Sequence, residues 1–269
     1  MPENTWGIID KSFNQIPIFN HADGIWSDSQ ENTEQLERCG IVNIKIMELP
    51  IAVDRPPLFN FKNKPKQKIN LLFVGRFFSS KGVVDIIEAL ELMRNKTDIP
   101  FMLRLVGNID FSDPEYVKLL HSKIKHYGLG EYVDFIGKVD LNSLIKIYHQ
   151  SHIFISASYH EGFCVPVIES LRTGLIPITY NAGNLIRIGG GFGPVVETGD
   201  IQSLSLKLLE TILTVYNSLH DLYLPCISTK NGLLNAIDFS NKIEEYSLAF
   251  DFDNYQRKIE VGLSSIFHS

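Results

Sequence analysis

INLLFVGRFFSSKGVVDIIEALELMRN (69–95) is the stretch that decides the fold. INLLFV (69–74) is a short apolar run ended by Gly75, and a polar loop follows it. From Gly82 the apolar residues recur at helical spacing as far as Asn95. An unbroken apolar run of strand length is expected where helices cover both faces of a sheet. The unit then repeats along the chain. FMLRLV (101–106), YVDFIG (132–137), HIFISAS (152–158) and LIPITY (175–180) read as strands. PEYVKLLHSKIKHYG (114–128), LNSLIKIYHQ (141–150) and VPVIESLRTG (165–174) read as helices between them. Strands alternating with helices predict an α/β, Rossmann-like parallel sheet with helices on both faces. Ligands of such sheets bind beyond the carboxyl ends of the strands. That rule points to loops 75–82, 107–113, 137–140 and 158–165.

Outward from this region the pattern thins. Residues 55–68, RPPLFNFKNKPKQK, hold three prolines and no apolar period, and read as a linker. Residues 1–54 carry a smaller version of the same pattern: GIWSDS (24–29) as a strand running into a helix cap, ENTEQLERCG (31–40) as a helix, VNIKIMEL (42–49) as a strand. So few elements cannot complete a doubly wound domain, so the segment is expected to be the incomplete end of an N-terminal α/β domain. The main domain is expected over 69–235, with helix at 201–217 and irregular chain at 218–235, and C-terminal helices over 236–269. LIRIGGGFG (185–193) fits neither glycine-rich phosphate motif in a strand–helix frame, and reads as a mobile loop.

A net charge of −6 with no basic run argues against nucleic acid, whose binding is set by cation density. The three cysteines, Cys39, Cys164 and Cys226, are far apart and suggest neither a zinc site nor a disulfide framework. The polar, acid-bearing start is not a secretory signal, and no apolar stretch reaches the roughly 18 residues of a membrane span. The expected location is the cytoplasm, with peripheral contact at the inner face of a membrane compatible with it.

Two loops carry candidate chemistry. GRFFSSKG (75–82) places Arg76 and Lys81 after a buried strand. A diphosphate there needs cations and helix-terminal amides; Arg offers a planar fork and Lys a mobile point charge. SASYHEGFCVPVIESLRTG (156–174) places Glu161 before a helix start and Glu169 about one turn inside that helix. Gly162 lets backbone approach a ligand closely. Carboxylates on either side of an anion-binding helix start suit hydroxyls flanking a phosphate, the layout of hexose, pyrophosphate and ribose. Each residue also has a plain reading as surface charge, and two glutamates eight apart are common; the combination with its strand–loop–helix frame raises the odds.

Here the chain resembles a known family. EGFCVPVIE matches the Glu-x7-Glu signature of retaining glycosyltransferases of GT-B fold, in particular glycosyltransferase family 4. LLFVGRFFSSKGVVDIIEAL, LRLVGN, VDFIGKV, IYHQSHIFISAS, TGLIPITYNAGN and GPVVETGDIQSL fall in that family's order, and ELPIAVD (48–54) resembles the junction between its halves. The resemblance covers roughly residues 20–215 and marks the main region as the C-terminal, donor-binding half. It implies that Gly75, Arg76 and Lys81 meet the donor diphosphate, that Glu161 holds hydroxyls of the transferred sugar with the backbone of Gly162, Phe163, Cys164 and Val165 nearby, that Glu169 holds the ribose, and that Gly137, Lys138 and Val139 contact the base. Arg76, Lys81 and Glu161 are then the catalytic set. The implied reaction transfers a hexose from a nucleotide-sugar donor with retention through an oxocarbenium-like state, in glycan or cell-surface polysaccharide synthesis. It implies no cofactor and no metal requirement; the acceptor is an unidentified glycan or lipid-linked molecule.

Three departures stand out. Cys164 occupies a position where the family usually carries glycine, which predicts a less free backbone and a narrower sugar pocket; a reactive thiol is the sharper alternative. NAGN (181–184) keeps a glycine of the family pattern without a nearby acid. The acceptor-side half is largely missing, so a partner chain supplying it is one expectation. The competing readings are a nucleotide-sugar-binding module without catalysis and a sugar-nucleotide epimerase of the same architecture.

Overall fold

The computed structural model describes residues 19, 21–53 and 61–267. In chain order the described elements are β1 (Ile25–Ser27), α1 (Gln30–Arg38), β2 (Ile46–Glu48), β3 (Ile69–Val74), α2 (Val83–Met93), β4 (Phe101–Val106), α3 (Pro114–His126), β5 (Val133–Gly137), α4 (Leu141–Gln150), β6 (Ile153–Ser156), α5 (Val165–Arg172), β7 (Ile176–Tyr180), α6 (Leu185–Ile188), β8 (Val195–Val196), α7 (Ile201–His220), β9 (Ile227–Thr229), β10 (Gly232–Leu234), α8 (Ala236–Ser247) and α9 (Phe252–Phe267). The calls on residues 1–18 and on 54–60, the first part of the linker, lie outside the described residues.

The main sheet is six-stranded, in the order β5-β4-β3-β6-β7-β8, and every pairing in it is parallel. The α/β expectation therefore holds. The apolar runs explain it. Leu71, Leu72 and Phe73 of β3, and all of Ile153–Ser156, are buried because both faces of these strands are covered. From β3 the chain steps outward one way through β4 to β5, then crosses back to β6 and continues the other way to β8. Right-handed crossovers then place helices of the two directions on opposite faces. The contacts agree: α2 packs on α3 and α7, whereas α5 packs on α8. The reversal falls between β3 and β6.

Local chemistry sets the ends of the helices. Asp113, Asp140, Asp200 and Asn235 each accept bonds from free amides of the helix they precede, with Pro114 at the first turn of α3. The C-terminal helices expected over 236–269 are two, α8 and α9, and Asp251 separates them by accepting from the Asn254 amide and starting α9 afresh. Residues 218–235 are not all irregular: α7 runs to His220, and β9 and β10 pair antiparallel, with Ile227 opposite Leu234. Nor is the glycine-rich turn at 185–193 loose. It begins with α6, Phe192 is buried against Phe239 and Tyr246, and a Cβ at Gly193 would stand 1.8 Å from the Pro177 carbonyl oxygen.

Near the amino end, β1 and β2 form a separate two-stranded parallel sheet, and the strand expected over 42–49 shortens to three residues. Ser29 caps α1 by accepting from the Asn32 amide. Ile25, Leu36 and Ile41 make a small cluster apart from the main core. α9 reaches this unit, with Gly262 close to Met47 and Trp26. Among the described residues no helix is long and apolar enough to cross a membrane.

At the amino-terminal edge of the main sheet His152 is fully buried. Its Nδ1 accepts from the Asn70 amide at 2.9 Å and its Nε2 lies 2.8 Å from the Pro65 carbonyl, so Nε2 carries the proton. Burial, and then the neighbouring Lys64, push this imidazole down to about 4. The folded protein thus takes up the proton less readily than the unfolded chain, whose histidine titrates near 6.5. Stability is then unaffected above that pH and is lost as pH falls from about 6.5 to about 4, by roughly 3 kcal/mol. Urea melts from pH 7.5 to 4 are expected to show this fall in wild type and a flatter profile in His152→Gln. Equal slopes in the two proteins would exclude His152 as the source.

Candidate functional site

The strand-order reversal makes the site. The chain leaving β3 turns toward α2 on one face, and the chain leaving β6 turns toward α5 on the other, so a crevice opens between adjacent strand ends. Gly82 brings the two loops together. It is left-handed (φ 61°), and a Cβ there would lie 1.9 Å from the Ala157 carbonyl oxygen. The Tyr159 amide donates to the Ser80 carbonyl at 2.9 Å, tying one loop to the other.

Across that seam Lys81 Nζ meets Glu161 Oε1 at 2.6 Å, and the Ser158 hydroxyl donates to the same oxygen at 2.8 Å. Both side chains are mostly shielded, with 24% of Lys81 and 13% of Glu161 exposed, which strengthens the pair relative to one in open water. Glu161 is also fixed through its backbone. Its carbonyl accepts from the Asn184 amide at 2.9 Å, and Gly183 (φ 54°) packs so tightly that a Cβ would stand 2.4 Å from that oxygen. The glycine of NAGN thus has a definite task. Arg76 lies exposed over the Phe78 ring, 5.3 Å from its centroid.

Arg76, Lys81, Glu161 and Gly162 line one cleft of about 1090 Å³. Ser79, Ser80, Asp85, Tyr116 and Tyr159 complete that side, and β1 and α1 form the opposite wall with Trp26, Asp28 and Asn32. Among the described residues, contacts between the walls include Asn32 against Gly162 and Arg187 paired with Glu34 at 2.8 Å and Glu31 at 3.6 Å. Such exposed pairs contribute at most about 1 kcal/mol each.

The other candidates stand apart from this cleft lining. Gly75, Gly107 and Gly137 end β3, β4 and β5 side by side, joined by bonds from Gly75 N to Val106 O and Gly107 N to Gly137 O. Lys138 is exposed and Val139 rests against the core. The Phe163 ring is buried against Phe250, which leaves only its backbone available to a ligand. Val165 opens α5, whose first amides receive no side-chain cap. Glu169 points to α4, where the buried Tyr148 hydroxyl donates to its Oε2 at 2.7 Å. Burial raises the Glu169 pKa, and the Tyr148 bond opposes the rise.

Cys164 bears on the expectation of a less free backbone. Its backbone is left-handed (φ 66°, ψ 66°), the one such non-glycine residue among those described. The chain thus keeps a glycine-like conformation in spite of the side chain, at a cost of about 1–2 kcal/mol. Burial pushes its thiol far up, with the Glu161 charge adding and Lys81 opposing. A protonated thiol is a poor nucleophile, which counts against the reactive-cysteine alternative.

Sequence reasoning missed Ser158 and Tyr148. Ser158 lies three residues before Glu161, inside the quoted loop. Tyr148 is 21 residues from Glu169, on another helix, and no local pattern signals it. Asp85 was also missed: it is buried and accepts from both Tyr159 and Tyr180 at 2.8 Å, bracing the start of α2 beside Lys81.

Comparison with known proteins identifies the family and the type of fold. The family model described as glycosyl transferases group 1 matches residues 54–220. O-antigen chain mannosyltransferase B of Escherichia coli is 24% identical over 169 residues, 63% of this chain and 42% of that protein. GDP-mannose:cellobiosyl-diphosphopolyprenol alpha-mannosyltransferase of Xanthomonas campestris is 26% identical over 136 residues, 49% of this chain and 34% of that protein. The chain therefore spans less than half the length of these relatives. Anabaena Alr3699/HepE in complex with UDP-glucose superposes with a TM-score of 0.73 at 18% identity, covering 96% of this chain and 70% of that one. At this identity the likeness speaks for the GT-B type of fold alone.

A carboxylate as largely shielded as that of Glu169 costs stability when charged. Glu169 takes up its proton more readily folded than unfolded, so its contribution is present at acid pH and is lost as pH rises through the carboxylate range. Glu169→Gln keeps an acceptor for Tyr148 and removes the charge. Its melting temperature is expected to exceed that of wild type at pH 7 and to match it near pH 4. A variant that melts lower at pH 7 would contradict this reading of the site.

Proposed function

The chain belongs to the glycosyl transferases group 1 family, and from that membership we propose that it holds the nucleotide-sugar donor of a retaining hexosyl transfer in glycan or cell-surface polysaccharide synthesis. The observation that carries the reading is the convergence of Lys81 and Glu161 at the sheet's reversal point, with Arg76 beside them. A nucleotide-sugar needs positive charge at its diphosphate and carboxylate acceptors at its sugar hydroxyls, and this seam offers both within one ion pair's length.

In this reading Arg76 and Lys81 counter the diphosphate and stabilise it as leaving group, without a metal in that role. Glu161, held by Ser158 and Gly183, accepts hydrogen bonds from hydroxyls of the sugar. The uncapped amides at the start of α5 face the same anion. Glu169 receives the ribose, and the strand end at Gly137, with Lys138 and Val139, lies along the base. The mannosyltransferase relatives support a hexose donor and polysaccharide synthesis. The acceptor, a glycan or a lipid-linked sugar, meets the opposite wall. In this proposal residues 1–54 belong to an acceptor-side half whose remainder lies in further chain or in a partner, while 69–235 binds the donor and the helices beyond 236 brace it. A cytoplasmic setting with peripheral membrane contact suits such an acceptor.

UDP or GDP at millimolar concentration is expected to raise the melting temperature, and EDTA is expected to leave that shift unchanged. Lys81→Ala and Arg76→Ala are each expected to weaken nucleotide binding about tenfold or more, the loss of a charge-assisted contact. If neither nucleotide stabilises the protein, the donor reading is wrong. Donor hydrolysis by the chain alone would mark it as catalytic; binding without hydrolysis would favour a donor-binding module.

A further inference from the structure

Tyr148 is the side chain of α4 that is buried, and it is only 2% exposed. Phenylalanine would fill the same volume, so what tyrosine adds is its hydroxyl. A buried hydroxyl requires a partner, and this one donates to Glu169 Oε2 at 2.7 Å. Burial and the Glu169 charge push the phenol well above its ordinary range, so it remains protonated and can only donate at this bond. The other oxygen, Oε1, accepts no bond from the described residues. Glu169 and Tyr148 come from helices on the same face of the sheet, α5 and α4, so the bond also fixes one helix against the other beside the strand ends.

We infer that Tyr148 is a positioning residue for donor binding: by holding Oε2 it locks the Glu169 carboxylate in one orientation and presents Oε1 to the two ribose hydroxyls of the nucleotide. This rests on the proposed donor site, and specifically on Glu169 facing the ribose. Its physical content is preorganisation. A glutamate side chain has several rotamers, and ordering it on binding costs affinity unless the protein has already done so. Tyr148 removes that cost before the nucleotide arrives, and it does so only for ligands that carry ribose hydroxyls.

The specificity gives the test. Titration calorimetry would use UDP and 2′,3′-dideoxy-UDP, or the GDP pair if GDP is the nucleotide bound, with wild type, Tyr148→Phe, Glu169→Ala and the double variant. Tyr148→Phe is expected to weaken the ribonucleotide about five- to tenfold and to leave the dideoxynucleotide unchanged. In the Glu169→Ala background the Tyr148→Phe substitution is expected to have no further effect, because the group it positions is gone. Equal weakening of both nucleotides by Tyr148→Phe would assign Tyr148 a merely structural role and overturn the inference. Unchanged ribonucleotide binding by Tyr148→Phe, alongside weakened binding by Glu169→Ala, would overturn it too while sparing the donor site. If Glu169→Ala itself leaves ribonucleotide binding intact, the ribose assignment fails, and the inference fails with it. Thermal melts of each variant identify any that do not fold.

Discussion

The close approach of the chain leaving β3 to the chain leaving β6 is the constraint from which the rest follows. Parallel strands with reversed order leave a crevice between these two exits, but a crevice alone gives no site. Gly82 lets the start of α2 press against the Ala157 carbonyl, a distance no Cβ could tolerate. The Tyr159–Ser80 backbone bond then closes the seam, and Lys81 reaches Glu161, 80 residues away in sequence. Gly183 does the same from the other side, allowing the turn after β7 to grip the Glu161 backbone. Two glycines at positive φ thus place a cation and a carboxylate that local sequence could not bring together.

From that seam outward, each support is a buried polar contact rather than added apolar packing. Ser158 fixes the Glu161 carboxylate, Tyr148 fixes that of Glu169, and Asp85 takes two tyrosine hydroxyls beside the first turn of α2. Buried polar groups are costly unless paired, so once satisfied they hold a single arrangement. The left-handed Cys164 lies between the two glutamates in sequence and keeps a strained backbone in the same region. Strain and shielded charge are thus held together here at some expense of stability, the combination that the proposed binding role would explain.

Much of the sheet was legible because its strands are apolar runs bounded by glycine, as in INLLFV before Gly75. β8 was not, because two residues carry no period. The β9–β10 hairpin was hidden by strands of three residues each, and the place where the C-terminal helices divide, at Asp251, by helical spacing that continues past it. Of the site, Arg76, Lys81, Glu161 and Gly162 were legible as loop residues at strand ends, and the structure gathers them in one cleft. Their mutual pairing was not legible, since the sequence assigned Lys81 and Glu161 to different parts of a ligand and gave no sign that they touch. Tyr148 and Asp85 act across helices, where no spacing rule connects partners. The glycine-rich turn at 185–193 was misread because glycine signals both freedom and tight packing, and here Phe192, Tyr246 and Pro177 decide for packing.

The central claim is that the Lys81–Glu161 seam sits where diphosphate meets sugar. The most direct measurement compares the affinities of a nucleoside diphosphate and its hexose conjugate for wild type and Glu161→Gln. The account predicts that Glu161→Gln loses the affinity contributed by the sugar while binding the nucleoside diphosphate no more weakly than wild type, because Lys81 is released to the phosphates. Equal weakening of both ligands would contradict it.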